Sequence, residues 1–198
     1  MFVSFEGVDG SGKSTQAQLL HDHLVGLGRK VVVTREPGGT ELGERLRAIV
    51  LDGPPISPWA EAALFAAARA EHAAELIRPA LERGADVVCD RFIDSSLAYQ
   101  GIARGLGLEQ VLDLNLTVLD GLLPDRTFVL VMDAAAASAR REHEPDRIER
   151  EGDLFQAEVG RAFEELARRF PERVELLDGA LPPAEIAGLV KARTGDLL

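Results

Sequence analysis

Gly7-Val8-Asp9-Gly10-Ser11-Gly12-Lys13-Ser14 fits the pattern G-x-x-x-x-G-K-[ST], and its flanks decide how it folds. Phe2-Val3-Ser4-Phe5 before it reads as a buried strand, and Gln16-Ala17-Gln18-Leu19-Leu20 after it continues as a helix. A strand, a glycine-rich turn and a helix in that order form a P-loop, whose backbone N–H groups and helix N-terminus cradle polyphosphate. The nucleotide-holding set is then Gly7, Val8, Asp9, Gly10, Ser11, Gly12, Lys13, Ser14 and Thr15. Lys13 would reach the β- and γ-phosphates, and the Ser14 hydroxyl would ligate Mg²⁺. The chain uses 19 Arg but only 3 Lys. One of those lysines stands where a compact point charge serves better than a planar fork.

Working outward, short β-branched runs alternate with longer helical stretches, the pattern of a parallel α/β sheet. Strands are expected at Phe2–Phe5, Val31–Thr34, Asp86–Cys89, Thr127–Met132 and Val174–Leu177. Helices are expected at Lys13–Leu27, Leu42–Leu51, Pro58–Arg83, Leu108–Leu122, Ala134–Arg141, Leu154–Phe170 and Pro183–Arg193. No linker or repeat divides them, so the expectation is one domain over residues 1–198: a three-layer P-loop fold with a five-stranded parallel sheet flanked by helices. Each strand ends on charge or glycine: the P-loop, Arg35-Glu36-Pro37-Gly38-Gly39-Thr40, Asp90-Arg91-Phe92, the arginine-rich stretch after strand 4, and Asp178-Gly179-Ala180. Open parallel sheets bind ligands at the carboxyl ends of their strands, which predicts one continuous site across the top of the sheet.

Composition narrows the partners. A net charge of −11 argues against general affinity for nucleic acid or anionic membrane, so local arginines must hold any anionic substrate against the global field. No stretch approaches the ~20 apolar residues of a membrane span, and no basic segment with an apolar core opens the chain, as a signal peptide would. The single cysteine, Cys89, cannot form an internal disulfide, which suits a reducing cytoplasm. His21, His23, His72 and His143 show no metal-ligand spacing and read as surface residues.

Asp90 closes the apolar run Val87-Val88-Cys89, where a carboxylate can meet Mg²⁺ directly or through water; a capping Asp would look the same. ATPase motors commonly place Glu next, to activate water. Arg91 here suits clamping a second phosphate. The mixed-charge segment from Ser138 to Arg150, broken by Pro145, reads either as a solvated connection or as a lid over residues 138–151. Its place after strand 4 favours the lid, with arginines brought to the transferring phosphoryl group. Position 10 is Gly, so the P-loop supplies no such charge itself. No general base stands out, and phosphoryl transfer to a phosphate acceptor needs none, because a nucleoside monophosphate is already ionised at neutral pH.

At this point the chain resembles the thymidylate kinases, P-loop enzymes that use ATP to convert dTMP to dTDP. The resemblance runs from Phe2 to the Asp178-Gly179-Ala180 loop. It is carried by Thr34-Arg35-Glu36-Pro37-Gly38-Gly39-Thr40, by Leu64-Phe65-Ala66-Ala67-Ala68-Arg69, and by Asp90-Arg91-Phe92-Ile93-Asp94-Ser95-Ser96-Leu97-Ala98-Tyr99-Gln100-Gly101. It implies that Asp9 contacts the deoxyribose 3′-hydroxyl or its surroundings, that Phe65 stacks on thymine, and that Arg69 donates to thymine O4. It further implies that Arg91 and Arg47 hold the dTMP phosphate with Glu36 beneath, and that Ser96 and Gln100 read the polar edge of thymine. Tyr99 would lie where a 2′-hydroxyl would project. Lys13, Asp90, Arg91 and Arg147 would carry the catalysis, Arg140 would approach adenine, Ser14 and Asp90 would hold Mg²⁺, and the enzyme would be a cytoplasmic homodimer. The long apolar faces of Pro58–Arg83 and Leu108–Leu122 could supply that interface. Phe92 departs from the Tyr or His often found after Asp-Arg in the family.

Without the resemblance Phe65 would read as core, Tyr99 as a packed aromatic, and Arg47 and Arg69 as surface charges. Another class, a GTPase switch, would carry an Asn-Lys-x-Asp motif, which this sequence lacks. A P-loop kinase for another deoxynucleotide is the nearer alternative, and Arg69, Tyr99 and Gln100 argue against it.

Overall fold

In the computed structural model, residues 1–140 and 144–198 are described, and the expected lid residues Arg141, Glu142 and His143 lie outside them. Five strands, β1 (Phe2–Glu6), β2 (Val31–Arg35), β3 (Asp86–Asp90), β4 (Arg126–Val131) and β5 (Val174–Asp178), form one parallel sheet in the order β2-β3-β1-β4-β5. β1 is thus central, pairing Phe5 with Asp90 on one side and with Phe128 on the other. The chain leaves β1 toward one edge and later returns to build the other. That reversal of direction opens a crevice at the strands' carboxyl ends, and the P-loop emerges into it.

The period-2 alternation of β1 sorts its side chains between two cores. Val3 and Phe5 join Leu20 and Leu24 of α1 (Lys13–Gly26) and Ile186 and Val190 of α9 (Pro183–Thr194). Phe2 belongs to the opposite core, with Phe92, Leu97, Val159 and Phe163. The elements on that side include α3 (Pro58–His72), α6 (Leu108–Leu119) and α8 (Asp153–Arg169). α2 (Glu41–Asp52) packs on α3, and its first turn is capped by Thr40, whose hydroxyl accepts from Gly43 N–H at 3.0 Å.

Two departures from the sequence expectation bear on the site. The long helix expected at Pro58–Arg83 is α3, then a π-helical turn at Ala73–Ile77, then α4 (Arg78–Glu82). Pro79 offers no N–H to the carbonyl four residues back, and the wider turn absorbs the mismatch. The second departure is a helix absent from the expected set: α5 (Ile93–Ser96) runs into another π-helical stretch, Leu97–Ala103. This segment delivers Ser95, Ser96, Tyr99 and Gln100 to one wall of the crevice. α7 (Ala134–Ala139) follows β4 and lies against the P-loop.

Candidate functional site

Two pockets open at the carboxyl ends of the strands. The larger, about 530 Å³, is lined by the P-loop from Asp9 to Thr15 and by Gln16, Asp90, Arg91 and Arg140, with Gly179 and Pro183 at its far end. The loop's glycines permit its shape. Gly10 has φ +87°, and a Cβ there would stand 2.0 Å from the Ala137 carbonyl oxygen. The absence of a side chain at position 10 therefore allows α7 to close against the loop. Gly7 and Val8 do not face this cleft; they border a smaller pocket between β4 and α8. Val8 still serves the site, because its carbonyl accepts from Lys13 Nζ at 3.0 Å. Burial, with Arg91 nearby, pushes the Lys13 pKa down from its ordinary value. The buried Ser11 hydroxyl has no hydrogen-bond partner among the described residues.

The second pocket is about 90 Å³ and is lined by all nine residues expected at an acceptor site: Asp9, Glu36, Arg47, Phe65, Arg69, Arg91, Ser96, Tyr99 and Gln100. Most of its polar side chains arrive already paired. Arg69, 1% exposed, donates through Nε to Glu36 at 2.7 Å and through its terminal nitrogens to Ser96 Oγ at 2.9 Å, to the Phe92 carbonyl at 3.0 Å and to Asn115. Glu36 also pairs with His72 Nδ1 at 2.9 Å, and His72 Nε2 meets Thr34 Oγ1 at 2.7 Å. His72 is therefore a buried support of the pocket, contrary to the surface position expected of it. Arg47 donates to the Pro37 carbonyl at 3.0 Å, next to the cis Glu36–Pro37 peptide. The Tyr99 hydroxyl has no partner among the described residues.

Asp9, Glu36, Arg47 and Arg91 line both pockets, so the two meet at these four side chains. Arg91 takes a left-handed backbone conformation, φ +70°, and donates to Asp9 at 2.6 Å and to Ser95 Oγ at 3.1 Å. Burial opposes the Asp9 charge, but Arg91 and Lys13 outweigh it and hold that carboxyl well below the usual range. Glu6, which the sequence reading passed over, supports the junction from beneath. Its two oxygens accept from Phe92 N–H at 2.7 Å and from Ser95 Oγ at 2.5 Å. Burial, then the nearby Asp94, pushes its pKa up to about 8, against the opposing pull of Arg91 and these hydrogen bonds. Its only signal in the sequence was a carboxylate in the last position of a buried strand.

At the cleft mouth, Ser14 Oγ donates to the Asp90 carboxylate. Two hard oxygen donors beside a phosphate-binding loop suit Mg²⁺, which takes few protein ligands and completes its shell with phosphates and water. Among the described residues no cluster of three or more His, Cys, Asp or Glu could hold a metal alone. Arg140 donates to the Gly179 carbonyl at 3.1 Å on the cleft wall. Arg147 stands elsewhere: it donates to the Val50 carbonyl at 2.8 Å and to Glu61 at 2.6 Å, and it lines neither pocket. Asp146 and Ile148 beside it complete the wall of the 90 Å³ pocket.

The chain is similar to known proteins over nearly all of its length. A family model described as thymidylate kinase matches residues 5–188. The thymidylate kinase of Bifidobacterium longum (strain NCC 2705) is 51% identical over 185 residues, covering 91% of this chain and 90% of that protein. That of Leifsonia xyli subsp. xyli is 49% identical over 197 residues, covering 98% and 93%. A crystal structure of thymidylate kinase from Ehrlichia chaffeensis superposes with a TM-score of 0.79 at 34% identity, covering 96% of this chain and 98% of that one.

Proposed function

We propose a division of labour among these residues from one premise: the chain belongs to the thymidylate kinase family. It is a dTMP kinase, a phosphotransferase that moves the γ-phosphoryl group of ATP onto dTMP to give dTDP and ADP. The observation that carries the assignment of roles is the junction, where Asp9, Glu36, Arg47 and Arg91 border both pockets. ATP occupies the P-loop cleft, with its phosphates on the backbone of residues 9–15 and on Lys13. dTMP occupies the smaller pocket, with Phe65 against the base, Arg69, Ser96 and Gln100 at its polar edge, and Tyr99 against the sugar. Its phosphate meets Arg47 and Arg91 at the junction.

Transfer forms a bond from a dTMP phosphate oxygen to the γ-phosphorus and breaks the bond from that phosphorus to the β-bridging oxygen. The attacking oxygen is already ionised, so the residues contribute alignment and charge neutralisation rather than proton removal. Ser14 and Asp90 would hold Mg²⁺, which when bound offsets negative charge on the ATP phosphates. Residues 138–151 act as a lid. Arg140 serves the nucleotide from the lid's base. Arg147, paired as it is with Glu61, fixes the lid segment against the acceptor pocket; reaching the phosphates would require it to leave that partner.

The enzyme is proposed to work in the cytoplasm as a homodimer. The buried, unpaired Cys89 suits a reducing compartment, and no helix among the described residues is long and apolar enough to cross a membrane. Beside the faces of Pro58–Arg83 and Leu108–Leu122, exposed apolar side chains that a second copy would cover include Trp59 of α3 (48% exposed) and, on the adjoining α2, Leu42 (43%) and Ile49 (47%).

ADP release with Mg-ATP and a panel of dTMP, dUMP, dCMP, AMP and UMP, with a no-acceptor control, tests this reading. dTMP should lead. dUMP should follow at about 10–200-fold lower kcat/KM, because one methyl in an apolar pocket is worth ~1–3 kcal/mol. Preference for another nucleotide would overturn the roles given to Phe65, Arg69, Tyr99 and Gln100.

A further inference from the structure

Glu61 lies in the first turn of α3, one helical turn from Phe65 and two from Arg69 along the same face, and is 1% exposed. Its carboxylate accepts four hydrogen bonds: from Gln100 Nε2 at 2.9 Å, from Arg104 Nε at 2.9 Å and a terminal Arg104 nitrogen at 3.2 Å, and from Arg147 at 2.6 Å. Burial opposes its charge, but the bonds from Arg104, Gln100 and Arg147 prevail and hold its pKa below the ordinary value. An ionised carboxylate only accepts. Gln100 can therefore present only its amide nitrogen to Glu61, since the reversed amide would set oxygen against oxygen. Its oxygen has no partner among the described residues, and Gln100 lines the acceptor pocket.

We propose that Glu61 is a specificity-determining positioning residue: it locks the Gln100 amide so that its oxygen faces the ring nitrogen at position 3 of the bound pyrimidine. Thymine and uracil carry N–H there and donate to that oxygen. Cytosine carries a bare acceptor, and two acceptors repel. Glu61 touches no substrate and acts through Gln100, while Arg104 and Arg147 keep it charged and fixed. The inference rests on the placement of dTMP given above and adds to it a second, separate reason for rejecting dCMP, beyond the contact of Arg69 at position 4.

The test is kcat/KM for dTMP, dUMP and dCMP in wild type, Glu61→Gln and Glu61→Asp. A glutamine can donate as well as accept, so E61Q frees the Gln100 amide to turn. The dTMP:dCMP ratio should fall by about tenfold, the scale of one hydrogen bond made or opposed. The dTMP:dUMP ratio should stay within twofold, because both bases carry the same N–H. E61D, which remains acceptor-only, should keep the dTMP:dCMP ratio nearer wild type than E61Q does. An unchanged dTMP:dCMP ratio in E61Q, or equal falls in both ratios, would overturn the inference. Absence of dTMP preference in the wild type would instead overturn the placement of dTMP. If E61Q does not fold, a crystal structure of the wild type with dTMP decides: Gln100 must bridge Glu61 and the ring nitrogen, and a Gln100 clear of the base rejects the role.

Discussion

The two pockets that meet at Arg91 are built on opposite principles. The P-loop cleft is wide, about 530 Å³, and its floor is one contiguous run of backbone with a single lysine. The acceptor pocket is about 90 Å³, and its polar side chains come from distant segments; all but the Tyr99 hydroxyl are tied down before any ligand arrives, Arg69 by Glu36, Arg91 by Asp9 and Gln100 by Glu61. Triphosphate looks alike on every nucleoside triphosphate, so a generic cradle of N–H groups suffices. A pyrimidine must be told from its neighbours by single hydrogen bonds, and those discriminate only when the protein groups cannot rearrange.

Lys13→Ala probes the separation most severely. Lys13 lines the cleft and not the acceptor pocket. The expected result is a kcat lowered about 10³-fold, the scale of removing a charge aimed at the transferring group. Calorimetric dTMP affinity should stay within about threefold; a parallel loss would show that the two halves are not separable. Arg91→Ala strikes the junction and should lower kcat/KM for dTMP by about 10²-fold while KM for ATP changes little. Equal losses for both substrates would make Arg91 a structural residue instead.

The same contrast governs what could be read in the sequence. The P-loop was legible because its chemistry is contiguous, and the sheet because its strands read as short, largely apolar runs between helical stretches. The acceptor pocket was not legible from pattern alone. Phe65 reads as core and Arg69 as a surface charge until the family blocks around them are seen, and Arg69 is in fact fully buried. The helix Ile93–Ala103 escaped because Ser95, Ser96 and Gly101 dilute its apolar pattern and its π-helical portion departs from the 3.6-residue period. Glu61 was out of reach for a different reason: its partners Gln100, Arg104 and Arg147 lie 39, 43 and 86 residues away, and only the fold assembles them.

The smallest expected effect lies beneath the junction, at Glu6, which belongs to neither pocket and holds Phe92 N–H and Ser95 below Arg91. Its pKa in the folded protein is about 8, against an ordinary 4.5. Between those values the folded state keeps a proton that the unfolded chain has released. Stability from this group must therefore fall as pH rises through that window and level off above it. Between pH 7 and pH 8 the loss is about 1 kcal/mol, part of the 1.36 kcal/mol that one full pKa unit represents. Urea unfolding of wild type and Glu6→Gln at pH 6, 7 and 8 should show this slope in the wild type and its loss in the variant, which cannot ionise. Identical slopes would mean that Glu6 is already charged at pH 7. The junction would then rest on a buried carboxylate held by Arg91 and its hydrogen bonds, and its pre-paired character would extend from the acceptor pocket into the strand that launches the P-loop.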